Sequence, residues 1–132
     1  MTETIETPAL AFADQLVPLV AHLRAHPYLP VVDVGKYIEE GGLDLQLRVP
    51  DRAQGALVWA KTLENPRITI RQVADWVGVY VFARIGDVPV RAWGSDRGDL
   101  IRWVSGDREH EITLAQLTEY VAAGTVEGLG AR

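Results

Sequence analysis

The sequence predicts an α+β domain, an antiparallel sheet of about five strands with helices mainly on one face. Three observations carry that prediction. Leu43, Leu45, Leu47 and Val49 alternate with Asp44, Gln46 and Arg48, the period-2 pattern of a half-buried strand. Gly86-Asp87 is a two-residue hairpin signal between two β-rich runs. Segments of helical period, bounded by caps and prolines, stand before, between and after the strands. Strands joined by tight turns pair antiparallel, and helices then cover one face of the sheet.

Thr7-Pro8 reads as an N-cap followed by proline at the first helical position. Phe12, Leu16, Val20 and Leu23 continue at helical spacing to His26-Pro27. Pro18 lies inside this run and is expected to kink or split the helix. Val31 to Ile38 and Leu43 to Val49 read as two strands joined through Glu39-Glu40-Gly41-Gly42. Pro50-Asp51 opens a second helix with Ala53, Ala56, Leu57, Ala60 and Leu63 on its inner stripe, and Asn65-Pro66 ends it. Three strand-like runs follow, Arg67–Val73, Trp76–Ile85 and Val88–Gly94, and the stretch from Asp96 to Gly106 reads as irregular. The last helix has the strongest local signature. Thr113 and Gln116 form a capping box, Ile112 and Leu117 occupy the positions of a hydrophobic staple, and Gly124 is the expected stop. The predicted order is α-β-β-α-β-β-β-α.

The 132 residues fit a single domain, 1–132, with an ordered core over about 7–123 and flexible termini. A chain this long can bury roughly two-thirds of its unfolded surface without staples. It has no cysteine, which excludes disulfides and thiolate metal sites. The acidic stretch from Met1 to Glu6 lacks the basic and apolar regions of a secretion signal, and no apolar run nears the roughly 20 residues of a membrane span. These features point to the cytoplasm and to no membrane. The net charge of −5 argues against nucleic acid as a partner. Positive charge comes from 11 arginines and only two lysines, Lys36 and Lys61, so most of it can make planar, bidentate contacts.

Taking Gly86-Asp87 as the turn pairs Ile85 with Val88, Ala83 with Val90 and Val81 with Ala92 on one face. It pairs Phe82 with Arg91 and Tyr80 with Trp93 on the other. A turn at Ala74-Asp75 sets Ile68 opposite Val81, Ile70 opposite Val79 and Thr69 beside Tyr80, a compatible register. The aliphatic face is the floor for the helices. The second face carries Trp76, Tyr80, Phe82 and Trp93 among Arg67, Arg71, Arg84 and Arg91. Aromatic residues and arginine are the types enriched at protein interfaces. A plainer reading has the face covered by the 96–106 segment, with Trp103 against Trp93 and the arginines extended to solvent.

Candidate chemistry is sparse. His22 and His26 stand four apart on one helical face, yet Arg24 is no general base and the acid of the zinc-protease motif is missing, and no metal site is assigned. Asp96, Asp99, Asp107, Glu109 and Glu111 cluster with Arg97, Arg102 and Arg108, a pattern typical of a solvated surface. The glycines from Gly124 to Gly130 follow a helix rather than a strand and match no phosphate loop. Ser95 and Ser105, the two serines, sit in no nucleophile elbow. No catalytic residue and no cofactor is assigned.

Leu23-Arg-Ala-His-Pro-Tyr-Leu-Pro30, Gly86-Asp-Val-Pro-Val-Arg-Ala-Trp93 and the helix start Thr113-Leu114 with Leu117 resemble small uncharacterised proteins of actinobacteria and their phages or mobile elements. The resemblance covers about residues 10–122 and implies no activity. The element order also resembles small acidic α+β chaperones of secreted effectors, a likeness of fold alone.

The expected function is a non-enzymatic protein-interaction domain (inhibitor, immunity-type or accessory factor). Its candidate contact face is Arg71, Trp76, Tyr80, Phe82, Arg84, Arg91 and Trp93, for a protein partner or a second copy in a homodimer. The competing expectation is a small-molecule-binding domain or small enzyme with a pocket lined by the acidic 95–111 segment. Single-stranded nucleic acid stacking on the rings is a third.

Overall fold

Gly86 adopts a positive φ of 62° at the tip of the hairpin, a conformation that side-chain-bearing residues rarely take. From that turn the sheet grows outward. The computed structural model describes residues 8–30, 33–37, 42–47, 52–73, 76–96 and 109–130. The elements are α1 (Pro8–Ala25), β1 (Asp33–Tyr37), β2 (Gly42–Gln46), α2 (Arg52–Ala60), β3 (Arg67–Val73), β4 (Trp76–Ile85), β5 (Val88–Asp96), β6 (His110–Ile112) and α3 (Leu114–Gly130). Among the described residues this is an α+β arrangement of three helices and one six-stranded sheet, ordered β1-β2-β5-β4-β3-β6.

Both predicted hairpin registers match residue by residue. Tyr80 faces Trp93, Phe82 faces Arg91 and Val81 faces Ala92 across β4 and β5. Ile68 faces Val81, Thr69 faces Tyr80 and Ile70 faces Val79 across β3 and β4. The predicted turn residues Ala74 and Asp75 lie outside the described residues.

Two features correct the expectation of about five antiparallel strands. β2 runs parallel to β5, with Leu43 beside Val90 and Asp44 beside Arg91, so the sheet is mixed. The cause is α2. A helix between two strands returns the chain to the end it left, so β2 and β3 run the same way. The β4–β5 hairpin then fills the space between them. A Cβ at Gly42 would collide with the Pro89 carbonyl oxygen, so the close approach of β2 to β5 requires glycine there. The second correction is β6, three residues antiparallel to β3 that pair Ile112 with Ile68 and His110 with Ile70. Its short, charged sequence gives no strand signal.

The aliphatic face is the floor of one core. Leu43, Leu45, Ile68, Ile70, Val77, Val79, Val81, Val90 and Ala92 are buried, together with Leu19 of α1, Ala53, Ala56, Leu57, Trp59 and Ala60 of α2, and Leu117 and Tyr120 of α3. α1 runs unbroken through Pro18, whose ring packs beside Gly86. Pro18 removes one N–H from the helix without ending it. α3 likewise continues past Gly124, the expected stop, to Gly130. Its start is as predicted. The Gln116 amide donates to Thr113 Oγ1 at 3.0 Å, and the Thr113 amide donates to Gln116 Oε1 at 2.8 Å. The start of α2 uses a distant partner, since the Ala53 amide donates to Asp96 Oδ2 at 3.2 Å. The predicted N-cap Thr7 and helix start Pro50-Asp51 lie outside the described residues, as do 31–32, 38 and 48–49 of the first two predicted strands and 39–41 of their connection.

Candidate functional site: the aromatic–arginine sheet face

Pleat alternation puts one set of side chains on the face away from the helices. The register then arranges them in rows across four strands. One row runs Arg67, Phe82, Arg91, Asp44 from β3 to β2. The next runs Thr69, Tyr80, Trp93, Gln46. A third contains Arg71, Gly78 and Ser95.

Asp44 organises the first two rows. Its Oδ1 accepts from Arg91 Nε at 2.6 Å, and its Oδ2 accepts from Trp93 Nε1 at 3.1 Å. One carboxylate thus fixes a guanidinium and an indole side by side. Trp93 stacks on Tyr80 with ring centroids 6.2 Å apart and planes 25° from parallel. Arg91 also lies over the Tyr80 ring at 5.6 Å, and Arg67 lies over Phe82 at 4.4 Å. The Tyr80 ring lies flat along the strand, its Oη 2.5 Å from where a Cβ at Gly78 would sit. Glycine makes room for that pose. At the β6 side, Thr69 is 1% exposed and its Oγ1 donates to Glu109 Oε2 at 3.0 Å.

All seven candidate residues lie on this face, but only four form a cluster. Tyr80, Phe82, Arg91 and Trp93 are brought together, each half-buried. Trp76 and Arg84 stand at opposite ends of β4, and Arg84 Nη1 donates to the Asp87 carbonyl within the hairpin turn at 3.0 Å. Arg71 is exposed beside Gly78. Asp44 was missed. The alternation of β2 places it on the polar face, but nothing local says that β2 neighbours β5.

The acidic segment does not converge among the described residues. Asp96 caps α2, Glu109 binds Thr69 and Glu111 stands exposed opposite Thr69 on β6. Residues 97–108, including Asp99, Trp103 and Asp107, lie outside the described residues. The expected pocket and the expected cover of the face both fall there.

On the helical side, His22 and His26 adjoin with ring centroids 4.7 Å apart. His22 stacks on Trp59 at 5.7 Å, and its Nε2 lies 2.9 Å from Thr62 Oγ1. The Thr62 hydroxyl proton goes to the Trp59 carbonyl at 2.8 Å, so His22 Nε2 is the donor. Burial, and secondarily the neighbouring His26, lower the His22 pKa from its ordinary value. Among the described residues no group of three or more acidic or histidine side chains is placed to hold a metal ion. Comparison with family models, with curated proteins and with solved structures returned no match. No helix among the described residues is long and apolar enough to cross a membrane.

Proposed function

We propose that the chain is a non-enzymatic protein-interaction domain that binds an acidic protein partner through the face built on Tyr80, Phe82, Arg91 and Trp93. The observation that carries the reading is the clamp of Asp44 on Arg91 and Trp93, which holds ring and guanidinium in place while both remain partly exposed. A surface ordered before contact loses little side-chain freedom on association. The exposed Arg67 and Arg71 on β3 and Arg84 at the hairpin flank it with positive charge in a chain whose net charge is −5. That local concentration favours a partner presenting carboxylates and apolar groups together.

The test is affinity capture with the Arg67→Glu, Arg71→Glu double variant, whose sites are both exposed, folding being checked by circular dichroism. Partner recovery is expected to fall about tenfold or more. Recovery unchanged in the folded variant would reject the face. Binding of a single-stranded oligonucleotide with stacking on Trp93 would replace the reading with a nucleic-acid one.

A further inference from the structure

α1 has two faces, and among the described residues the inner one packs on the core. Leu19 is buried, and Phe12, Leu16 and Leu23 pack on the core. The opposite side carries Leu10, 65% exposed, and Val17, 67% exposed, with Val20 flanking them. Tyr28, just past the helix, is also exposed. Of the five large exposed hydrophobic side chains among the described residues, these are four. Exposed apolar side chains gathered on one element mark a contact surface more often than scattered ones do.

The spacing on this side is regular. Leu10, Asp14, Val17, Ala21 and Arg24 follow steps of four, three, four and three, the seam of an antiparallel or parallel helix pair. All five are exposed. The charges choose between the two directions. In a parallel pair Asp14 would meet Asp14 and Arg24 would meet Arg24. In an antiparallel pair about a two-fold axis level with Leu19, Asp14 of one copy meets Arg24 of the other, twice over. Val17 then meets Ala21, a small residue that lets the helices approach closely. A sequence complementary to its own reverse is what a two-fold interface requires.

We infer that the outer face of α1 is a homodimer interface, an antiparallel helix pair set by the reciprocal Asp14–Arg24 contacts. It lies on the helical side of the molecule, away from the polar sheet face, and is independent of the function proposed above. α1 has 18 residues, about 27 Å at about 1.5 Å per residue. One such helix pair is a small interface, so the dimer is weak, in the range of about 1–100 µM.

Sedimentation velocity of the full chain from about 1 µM to about 1 mM tests this. The expected result is a monomer–dimer equilibrium. Val17→Glu, at an exposed site, is expected to leave a folded monomer. Asp14→Arg alone and Arg24→Asp alone are each expected to weaken association about tenfold, from two lost attractions and two new repulsions. The combined Asp14→Arg, Arg24→Asp variant should restore it to within about threefold of the original. Monomer throughout the range overturns the inference. So does a dimer indifferent to these charges, or one lost on Arg67→Glu, Arg71→Glu and retained in Val17→Glu. Loss in both single reversals without rescue in the pair would overturn the antiparallel register.

Discussion

The polar face of the sheet and the outer face of α1 both show apolar groups beside charges, yet they are built differently. On the sheet each ring or guanidinium of the central cluster has an intramolecular partner: Asp44 for Arg91 and Trp93, Tyr80 for Trp93, Phe82 for Arg67. On α1 the exposed side chains Leu10, Asp14, Val17, Ala21 and Arg24 stand on one helix at regular spacing. The first surface is rigid before anything binds, and the second is complementary only to its own reverse. Composition alone does not distinguish a surface finished within the chain from one finished by a second copy. The test is whether the answering groups come from another strand of the same molecule.

The largest expected effect breaks the sheet itself. Val81 is fully buried at the crossing of both registers, facing Ile68 on one side and Ala92 on the other. Val81→Asp places an unpaired charge there, at about 4 kcal/mol, a large fraction of a small domain's stability. Circular dichroism and denaturant titration should show no cooperative transition. A folded Val81→Asp chain would refute the two-faced sheet and with it the proposed contact surface.

Asp44→Ala comes next. It removes the acceptor shared by Arg91 Nε and Trp93 Nε1, at about 1–3 kcal/mol. Arg91→Ala, which removes one donor from a pair whose side chains are 27% and 22% exposed, should cost only about 1 kcal/mol. The order of the two urea midpoints is the readout. Near-ultraviolet circular dichroism should lose its Trp93–Tyr80 signal in Asp44→Ala and keep it in Arg91→Ala. Equal costs would mean that Asp44 does not hold the indole.

The history of these residues explains what could be read from the chain. Gly86-Asp87 is local, and once it is a turn, every pair from Ile85–Val88 to Tyr80–Trp93 follows by counting. The capping box at Thr113 is equally local. Asp44 meets Arg91 through a parallel pair created by the α2 crossover, and no turn between them announces it. Trp59 lies off the inner stripe that helical spacing predicts for α2, yet it is fully buried, its Nε1 donating to the Pro30 carbonyl at 2.6 Å. Local propensity predicts a kink or split at Pro18 and a stop at Gly124, yet both helices run on through them. The seven candidate face residues were legible as a face. Which of them touch was legible only for pairs joined by a hairpin.

Thr113→Ala is a smaller perturbation on the helical side. It leaves the Gln116 amide without its acceptor and releases the reciprocal bond, at about 1 kcal/mol. The urea midpoint should fall while the near-ultraviolet signal of the sheet face is kept, because α3 and that face lie on opposite sides of the sheet. An unchanged midpoint would mean that the box forms without stabilising the helix start.

The smallest expected effect concerns how α1 is fastened, and it depends on pH. At its C-terminal end His22 is stacked on Trp59 and donates to Thr62, with His26 on the same helix face and Tyr28 edge-on to His26. The charged neighbours in sequence, Arg24, Lys61 and Glu64, are exposed. Burial and His26 both disfavour the charged ring, so the folded-state pKa of His22 lies below its ordinary value of 6.5. A depressed pKa means that the unfolded chain takes up the proton first. Stability is therefore complete above about pH 6.5 and declines as the pH falls from there through the folded pKa. Urea midpoints at about pH 7.5 and about pH 5.5 compare stability on the two sides of the ordinary value. The drop between them should shrink in His22→Gln, which keeps a donor for Thr62 but does not titrate. His26→Gln should also reduce it, by less, because its contribution to the shift is secondary to burial. If α1 is held chiefly by Leu19 and the Pro18–Gly86 contact, the pH dependence will be the same in all three chains, and the histidine cluster will be a neighbour of the joint rather than part of it.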